Sequence, residues 1–211
     1  MCWKPDFRAL LLACCLLPGV ATAAEELDAV LARMAINQPG AFHYNETRHI
    51  AMLDEPWQGE GNLYARSADC LIKEQISPKR QVMAALKSSL WFFDTEKNIR
   101  RNRRISSKAT LSGLLGIFRG MASGTRTQIE RYYTLSFTSN PDSWQLELKP
   151  TDFATRRTYR RFELSGKPGH GVGKILIEQA DGDTATITLQ PFDPDGVEAR
   201  IEALLSEVKG R

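Results

Sequence analysis

Cysteine, histidine and long apolar runs are scarce in this chain. Its 211 residues include 4 cysteines and 3 histidines, and three of the cysteines lie within the first 15 residues. Only Cys70 remains in the rest of the chain, and a single thiol excludes an internal disulfide or a cysteine cage around a metal. The domain must therefore be stabilised by the packing of its core.

Beyond residue 23 the longest unbroken apolar run is Val82 to Leu86, which is five residues long. A helix that crosses a bilayer needs about 20 apolar residues, so this part of the chain predicts no membrane span. The composition, 42% hydrophobic and 25% charged, is that of a globular domain and excludes disorder or low complexity.

A strong excess of charge is also lacking. The formal net charge is +3, whereas binding to nucleic acid depends on many phosphate contacts and needs a strongly basic surface. We therefore expect no nucleic-acid partner.

Sequence signatures of enzymes are missing as well. The chain contains no HExxH, GxSxG, CxxC or P-loop pattern. His43 and His49 are six residues apart, which separates them by about 20 Å along a strand, too far to bind one metal. A Ser/His/Asp triad with His170 and Asp181 can be written on paper, as in any chain of this size. We expect a protein without catalytic activity, metal or cofactor.

The first 23 residues have the pattern of a secretory signal peptide. Lys4 and Arg8 precede an apolar run over residues 9–17, Pro18-Gly19 ends that run, and Ala21-Thr22-Ala23 has the small residues that an export peptidase requires. Cleavage after Ala23 leaves one domain over residues 24–211. Leu11 to Cys14 also resembles a lipobox, which would make Cys14 a lipidated N-terminus, although only five apolar residues precede that cysteine.

Hydrophobic periodicity predicts a mainly β domain with helices at both ends. Residues 25–34 repeat apolar side chains at helical spacing, and so do residues 197–208 near the other end. Alternating runs between them predict eleven antiparallel strands, which suit a sandwich or a barrel. These runs are FHYNETRHIAML, GEGNLYAR, CLIKEQI, RQVMAAL, SLWFFD, NIRRNRRI, IERYYTLSFT, SWQLELK, RTYRRFELSG, VGKILIEQ and TATITLQ.

A central segment, Ser106 to Thr127, interrupts the strands with helical spacing and four glycines. Each interior glycine costs a helix about 0.5–1 kcal/mol relative to alanine, so this helix should be easily displaced. A weak helical cover over an apolar sheet face is typical of a ligand-binding cavity. The same helix would equally well fill the barrel as its core. The strand residues expected on this face are Trp91, Phe92, Phe93, Tyr133, Leu135, Phe137, Trp144, Leu146, Leu148, Ile175 and Ile177.

Two strands carry clusters of arginine, at residues 100–104 and 156–161. On a strand such residues point to both faces, where they are solvated or meet acids such as Glu130 or Glu147. The functional alternative is transient contact with anionic lipid headgroups, to which each basic residue would contribute about 1 kcal/mol.

The order of several segments resembles the LolA family of periplasmic outer-membrane lipoprotein carriers, over nearly all of residues 24–211. The segments are GEGNLYARSADCLIKEQ, SLWFFD, the helix LSGLLGIFRGMA, WQLELKP and TITLQPFDPDGV. Within them, the residues that match two motifs of the family are Gly59, Gly61, Leu63, Tyr64, Leu90, Trp91, Phe92, Phe93 and Asp94. The likeness is to LolA-related proteins of lipid and pigment biosynthesis clusters rather than to the housekeeping carrier.

This resemblance implies an incomplete antiparallel barrel of about eleven strands, closed by a central lid helix over a cavity for acyl chains. The cargo would be an acylated lipoprotein or another lipid, received from an inner-membrane donor complex and passed to an outer-membrane acceptor by a periplasmic monomer. The alternative is an envelope stress-sensing or regulatory domain, since such regulators share the barrel. The implied lipid-binding residues are Trp91, Phe93, Leu114, Ile117, Phe118, Met121, Tyr133, Leu135, Phe137, Leu146, Leu148, Ile175 and Ile177.

The family's first motif is followed by an arginine that latches the lid. Arg66 is the candidate here, but it is displaced by one residue and the proline that follows it in the family is missing. One residue along a strand reverses the face on which a side chain lies, which argues against a latch at Arg66.

Overall fold

The computed structural model of the chain describes residues 21–105 and 110–211, and their side chains except those of residues 21–25 and 110–114. Most of the predicted signal peptide, with Cys14, lies outside the described residues. In the described part, no helix has the length and apolar character needed to cross a membrane.

Eleven antiparallel strands form one sheet in the described residues. They are β1 (Gly40–His49), β2 (Trp57–Ser67), β3 (Cys70–Ser77), β4 (Gln81–Leu86), β5 (Ser89–Asp94), β6 (Ile99–Arg104), β7 (Tyr133–Ser139), β8 (Trp144–Pro150), β9 (Tyr159–Gly166), β10 (Lys174–Gln179) and β11 (Thr184–Phe192). Their order is β6-β5-β4-β3-β2-β1-β11-β10-β9-β8-β7, so the sheet does not close and β6 and β7 are its edges. The expected incomplete barrel of about eleven strands is confirmed.

Five helices accompany the sheet in the described residues. They are α1 (Ala21–Met34), α2 (Thr110–Ser123), α3 (Arg126–Glu130), α4 (Phe153–Arg156) and α5 (Val197–Lys209). The expected terminal helices are confirmed as α1 and α5. The short helix α4 was not expected; Asp152 begins it by accepting a hydrogen bond from the Thr155 N–H at 2.9 Å.

The strand register separates two faces of the sheet. In one register row Ile187, Ile175, Leu164, Leu146 and Phe137 lie side by side across β11, β10, β9, β8 and β7. We call the face that these residues share the inner face. A second row on the opposite side, the outer face, joins Tyr64, Ile72, Ala84 and Trp91 across β2 to β5.

The helices divide between these faces and form two hydrophobic cores. Side chains of α1, α2 and α3 pack on the inner face of β7–β11, where Leu31, Ile117 and Ile129 are buried. Side chains of α5 pack on the outer face of β2–β5, where Ile201 and Leu204 are buried. Among the described side chains, Leu63 of β2 is the residue of β2–β5 that joins the core on the inner face.

The central helical segment differs from the single expected helix over Ser106 to Thr127. In the described part it consists of α2 and α3, separated at Gly124, whose φ of 65° suits glycine. A Cβ at Gly120 would collide with the Ile129 side chain, so this glycine allows α2 and α3 to lie close together. The N–H of Ile36 also donates to the Ala122 carbonyl at 2.9 Å, which joins α1 to α2. The cover is thus a packed unit of three helices.

Ion pairs attach α5 to the outer face. Arg200 Nη2 donates to the two carboxylate oxygens of Glu74 at 2.7 and 2.9 Å, and Arg80 binds both Glu74 and Glu207. The hydrogen bonds from Arg80 hold the pKa of Glu207 below its usual range. The C-terminal helix is therefore fixed to the sheet by charge as well as by its apolar face.

Candidate functional site

Three side chains of α2 contribute to the core on the inner face. Ile117 and Met121 are only 2% and 8% exposed, and both pack in the same core as Tyr133 and Leu148. Phe118 is partly buried against this core. We call the contact between these three α2 side chains and the inner face the lid seam, and α2 the lid.

Ten of the thirteen expected lipid-binding residues belong to the lid seam. They are Ile117, Phe118, Met121, Tyr133, Leu135, Phe137, Leu146, Leu148, Ile175 and Ile177. The side chain of Leu114, which was also expected here, lies outside the described residues. Between the two interpretations that the sequence left equal, the structure shows the lid residues filling the core of β7–β11.

Trp91 and Phe93 do not join the seam. Both lie on the outer face of β5 and pack in the core beneath α5, together with Tyr64 and Val82. The expectation that they share a face with Tyr133 is therefore wrong. The cause is that α5 covers the outer face of this half of the sheet and needs apolar partners there.

Arg66 also faces α5. Its Nη2 lies 2.7 Å from Glu198 and 2.6 Å from Glu202, and its guanidinium makes no described contact with the lid. Burial works to lower the pKa of Arg66, but its hydrogen bonds to both glutamates outweigh burial and raise that pKa.

The lid carries a different arginine that contacts the sheet. Arg119 donates to the Lys87 carbonyl in the β4–β5 turn and lies 3.9 Å from the Asp69 carboxylate. Sequence reasoning missed Arg119, whose contacts with Lys87 and Asp69 join residues far apart in the chain.

Two tyrosine hydroxyls are buried without a hydrogen-bond partner among the described residues. They belong to Tyr44 and Tyr133, and each side chain is about 1% exposed in the core of the lid seam. Burial raises the pKa of both phenols, so both are neutral donors. An unpaired buried hydroxyl costs roughly 1–3 kcal/mol. The seam thus combines an apolar surface with two donors that have no partner among the described residues.

The inner face of β2–β5 holds a cavity of about 450 Å³. Trp57, Met83 and Phe92 line it with Lys73 and Arg48, and we call it the inner cavity. The Lys73 ammonium lies 4.6 Å from the centre of the Tyr44 ring, so this cavity adjoins the lid seam. Sequence reasoning placed Phe92 on the apolar face but not among the binding residues; the strand register puts it on the face opposite to Trp91 and Phe93.

A buried carboxylate lies between the seam and the inner cavity. Glu46 is 4% exposed and accepts hydrogen bonds from Arg48 at 2.7 Å and Lys73 at 2.6 Å. Burial alone would raise the pKa of Glu46, but these hydrogen bonds outweigh it and hold that pKa below its usual range. Glu46 therefore pairs with Arg48 and Lys73 together, and the third cation that lines the cavity, Lys79, lies 3.1 Å from Glu96.

The described part of the chain contains neither a metal-binding group nor a reactive thiol. Within residues 21–105 and 110–211, no three His, Cys, Asp or Glu side chains are grouped so that they could hold a metal ion. Cys70 is buried, and burial raises the pKa of its thiol, so it is a poor nucleophile.

Comparison with known proteins gives one match to a family. The model of a family described as outer membrane lipoprotein carrier protein LolA-like matches residues 19–201. No curated protein matches the chain.

Several solved structures are similar in fold at low sequence identity. A LolA superfamily protein from Nitrosomonas europaea is 14% identical, with 80% of this chain and 91% of that chain covered and a TM-score of 0.47. An uncharacterized conserved protein from Thermus thermophilus is 13% identical, with 86% and 93% covered and a TM-score of 0.48. A chain of the Pseudomonas aeruginosa MucA/MucB complex is 13% identical, with 86% and 60% covered and a TM-score of 0.41.

Proposed function

The chain belongs to the LolA-like family of outer membrane lipoprotein carrier proteins, and on that premise we propose that it is a periplasmic carrier of acyl chains. In this proposal residues 1–23 are a cleaved signal peptide. The domain of residues 24–211 then shields the acyl chains of a lipoprotein or another lipid and carries them towards the outer membrane.

The observation that carries the proposal is the lid seam. Ile117 and Met121 bury their side chains against inner-face residues that are themselves apolar, such as Leu146 and Leu148. An acyl chain offers the same kind of surface, and each methylene that it buries contributes about 0.8 kcal/mol. A chain of sufficient length therefore competes with the lid for the inner face.

The interior glycines of α2 affect how readily an acyl chain can displace the lid from the inner face. Gly116 and Gly120 lower the intrinsic stability of α2, while Gly120 allows α2 to pack closely on α3. In the proposed cycle the lid helices separate from the inner face without separating from each other. Lipid is released when the acceptor buries the acyl chains at least as well as the seam does.

The inner cavity supports the proposal as an entrance. It adjoins the seam at Tyr44 and Lys73, and its walls combine Trp57, Met83 and Phe92. A volume of about 450 Å³ lies in the range typical of small-molecule sites. We propose that the first acyl chain enters here and extends beneath α2. The buried hydroxyls of Tyr44 and Tyr133 would then donate to polar atoms of the cargo.

Partners follow from the family in this proposal. An inner-membrane complex would donate the lipid and an outer-membrane protein would accept it. A domain of this size encloses its own site, so we propose that it acts as a monomer.

The experiment that tests the proposal is native mass spectrometry of protein purified from the periplasm, with the bound lipid identified after extraction. We expect a bound acylated molecule on the parent protein. Phe118→Asp places a charge in the lid seam and should abolish this co-purification while the sheet stays folded. Gln128→Asp adds the same charge at an exposed position of α3 and is the matched control.

Normal lipid co-purification with Phe118→Asp would contradict the assignment of the seam. A parent protein that carries no lipid but retains an envelope protein would favour the regulatory alternative.

A further inference from the structure

A second cavity lies on the outer face, at the end of the sheet that carries the β2–β3 and β4–β5 turns. Its volume is about 560 Å³, and it is bounded by these strands and by the last turns of α5. We call it the outer pocket. It lies on the opposite face from the lid seam and is a different site from the one that carries the proposed function, although Arg119 of the lid contacts two residues of its rim, Asp69 and Lys87.

The floor of the outer pocket is apolar. Leu86 and Trp91 line it from β4 and β5, Cys70 from β3, and Leu205 from α5. All four side chains belong to the core beneath α5, yet Leu86 and Trp91 remain partly exposed. The pocket thus offers a tryptophan and a leucine to a bound apolar group.

The rim of the outer pocket is cationic. Lys87, Lys209 and Arg211 line it, and in the described part of the chain none of them forms a salt bridge. Arg104, the last residue of the basic strand β6, is paired in register with Ser89 at the same rim. An anion at this rim would therefore meet three basic side chains that form no described salt bridge, whereas Arg66, which also lines the pocket, is already paired with Glu198 and Glu202.

Acidic groups near the rim do not oppose an anion strongly. Asp69 is largely exposed and lies beside Arg119 of the lid. The carbonyls of Ser206 and Glu207, at the negative end of α5, already accept hydrogen bonds from the N–H groups of Gly210 and Arg211. Ser88 and Ser89 add hydroxyl donors at the same place.

The inner cavity differs in this respect. Each of its cations already forms a salt bridge: Arg48 and Lys73 share Glu46 at 2.7 and 2.6 Å, and Lys79 lies 3.1 Å from Glu96. Of these two cavities, the outer pocket is the one that combines an apolar floor with cations that form no described salt bridge.

We propose that the outer pocket binds the anionic headgroup of a phospholipid at a membrane surface. In this docked state Lys87, Lys209 and Arg211 contact the phosphate, and the adjoining part of one acyl chain packs on Trp91 and Leu86. The protein then approaches a membrane with the outer face of β4–β5 and the end of α5, while the lid seam on the other face stays accessible.

The test is vesicle flotation with the full mature protein. Vesicles that contain phosphatidylglycerol in phosphatidylcholine should bind it, pure phosphatidylcholine vesicles should not, and binding should weaken as salt is raised. Lys209→Gln with Arg211→Gln should weaken binding about thirty-fold, because each basic side chain near an anionic surface contributes roughly a factor of five. Lys167→Gln with Lys174→Gln removes two exposed charges from the β9–β10 hairpin and is the matched control.

A second measurement distinguishes the lipid from a free anion. A short-chain soluble phosphatidylglycerol should compete with the vesicles and change the fluorescence of Trp91, with the Trp91→Phe variant as the blank. Inorganic phosphate at the same concentration should not compete. Equal competition by phosphate, or equal loss of binding in the Lys167/Lys174 control, would overturn the proposal.

Failure here is distinguishable from failure of the carrier proposal. The Lys209→Gln, Arg211→Gln variant should still co-purify with acylated cargo, because its substitutions lie on the opposite face from the seam. The Phe118→Asp variant should still bind anionic vesicles.

Discussion

Arg66 on β2 and Glu202 on α5 form a salt bridge of 2.6 Å across the outer face of the sheet. The arginine that sequence position suggests as a lid latch therefore holds the C-terminal helix. The lid is attached to the sheet by its own Arg119, through the Lys87 carbonyl and the Asp69 carboxylate.

Exchanging these two arginines for alanine should have different effects. Arg119→Ala removes the contact that holds α2, so amide hydrogen exchange should rise in α2 and acyl chains should bind more readily. Arg66→Ala should raise exchange in α5 alone and cost about 0.2–1 kcal/mol, because its ion pairs are partly exposed. Hydrogen exchange read by mass spectrometry checks both. A faster-exchanging α2 in Arg66→Ala would restore Arg66 as the latch.

Gly120 should be far less tolerant of alanine than Gly116. A Cβ at Gly120 would collide with the Ile129 side chain, whereas one at Gly116 would lie 3.2 Å from the Tyr132 ring. Gly120→Ala should therefore lower the free energy of unfolding by about 1–3 kcal/mol despite its better helix propensity. Gly116→Ala should be close to neutral, because about 0.5–1 kcal/mol of propensity offsets its tight contact. Thermal unfolding of the two variants decides this, and equal effects would refute the close packing of α2 on α3.

Tyr133→Phe should stabilise the empty protein. The hydroxyl that it removes is buried without a described partner, and such a group costs roughly 1–3 kcal/mol. Tyr64→Phe, by contrast, removes a hydroxyl that accepts a hydrogen bond from Asn62 at 3.3 Å, and should be slightly destabilising. Urea unfolding of both variants measures the change in the free energy of unfolding, which should be positive for Tyr133→Phe and negative for Tyr64→Phe. If Tyr133→Phe is destabilised as much as Tyr64→Phe, the hydroxyl of Tyr133 has a partner in the fold.

The acid stability of the protein should depend on Glu46. Its pKa in the folded state lies below the unfolded value of about 4.3, so its ionised form stabilises the fold above that pH. This contribution is lost as the pH falls through the folded pKa. Glu46→Gln should cost about 1.5–3 kcal/mol at pH 7, and the difference from the parent should shrink below about pH 4.

Glu60→Gln, at an exposed position of β2, is the control for Glu46. Its effect should be small and nearly independent of pH. A deficit in Glu46→Gln that persists unchanged at low pH would show that the carboxylate acts through packing alone.

The strands were predictable because most of them alternate. In β8, for example, Trp144, Leu146 and Leu148 are buried and the residues between them are more exposed, so sequence periodicity gave both the strand and its inner face. The same periodicity placed the seven strand residues of the lid seam together, on the face where β7–β11 pack against α1, α2 and α3.

The prediction of which strand residues share a face failed in β5, whose outer face is covered by α5 and whose inner face lines a cavity. LWFF is apolar throughout, because α5 covers Trp91 and Phe93 on the outer face while Phe92 lines the inner cavity. No alternation remains from which a face can be read. The arginine of the lid and the split between α2 and α3 were also beyond prediction, because both depend on contacts between residues far apart in the chain.

The central claim is that acyl chains bind between the lid and the inner face. The most direct measurement is photo-cross-linking with a fatty acid that carries a diazirine near the end of its chain, followed by peptide mapping. The account predicts cross-links to inner-face residues such as Leu146, Leu148 and Ile175, and their loss in Phe118→Asp. Cross-links confined to Trp91 and Leu205 of the outer pocket, or unchanged labelling in Phe118→Asp, would contradict it.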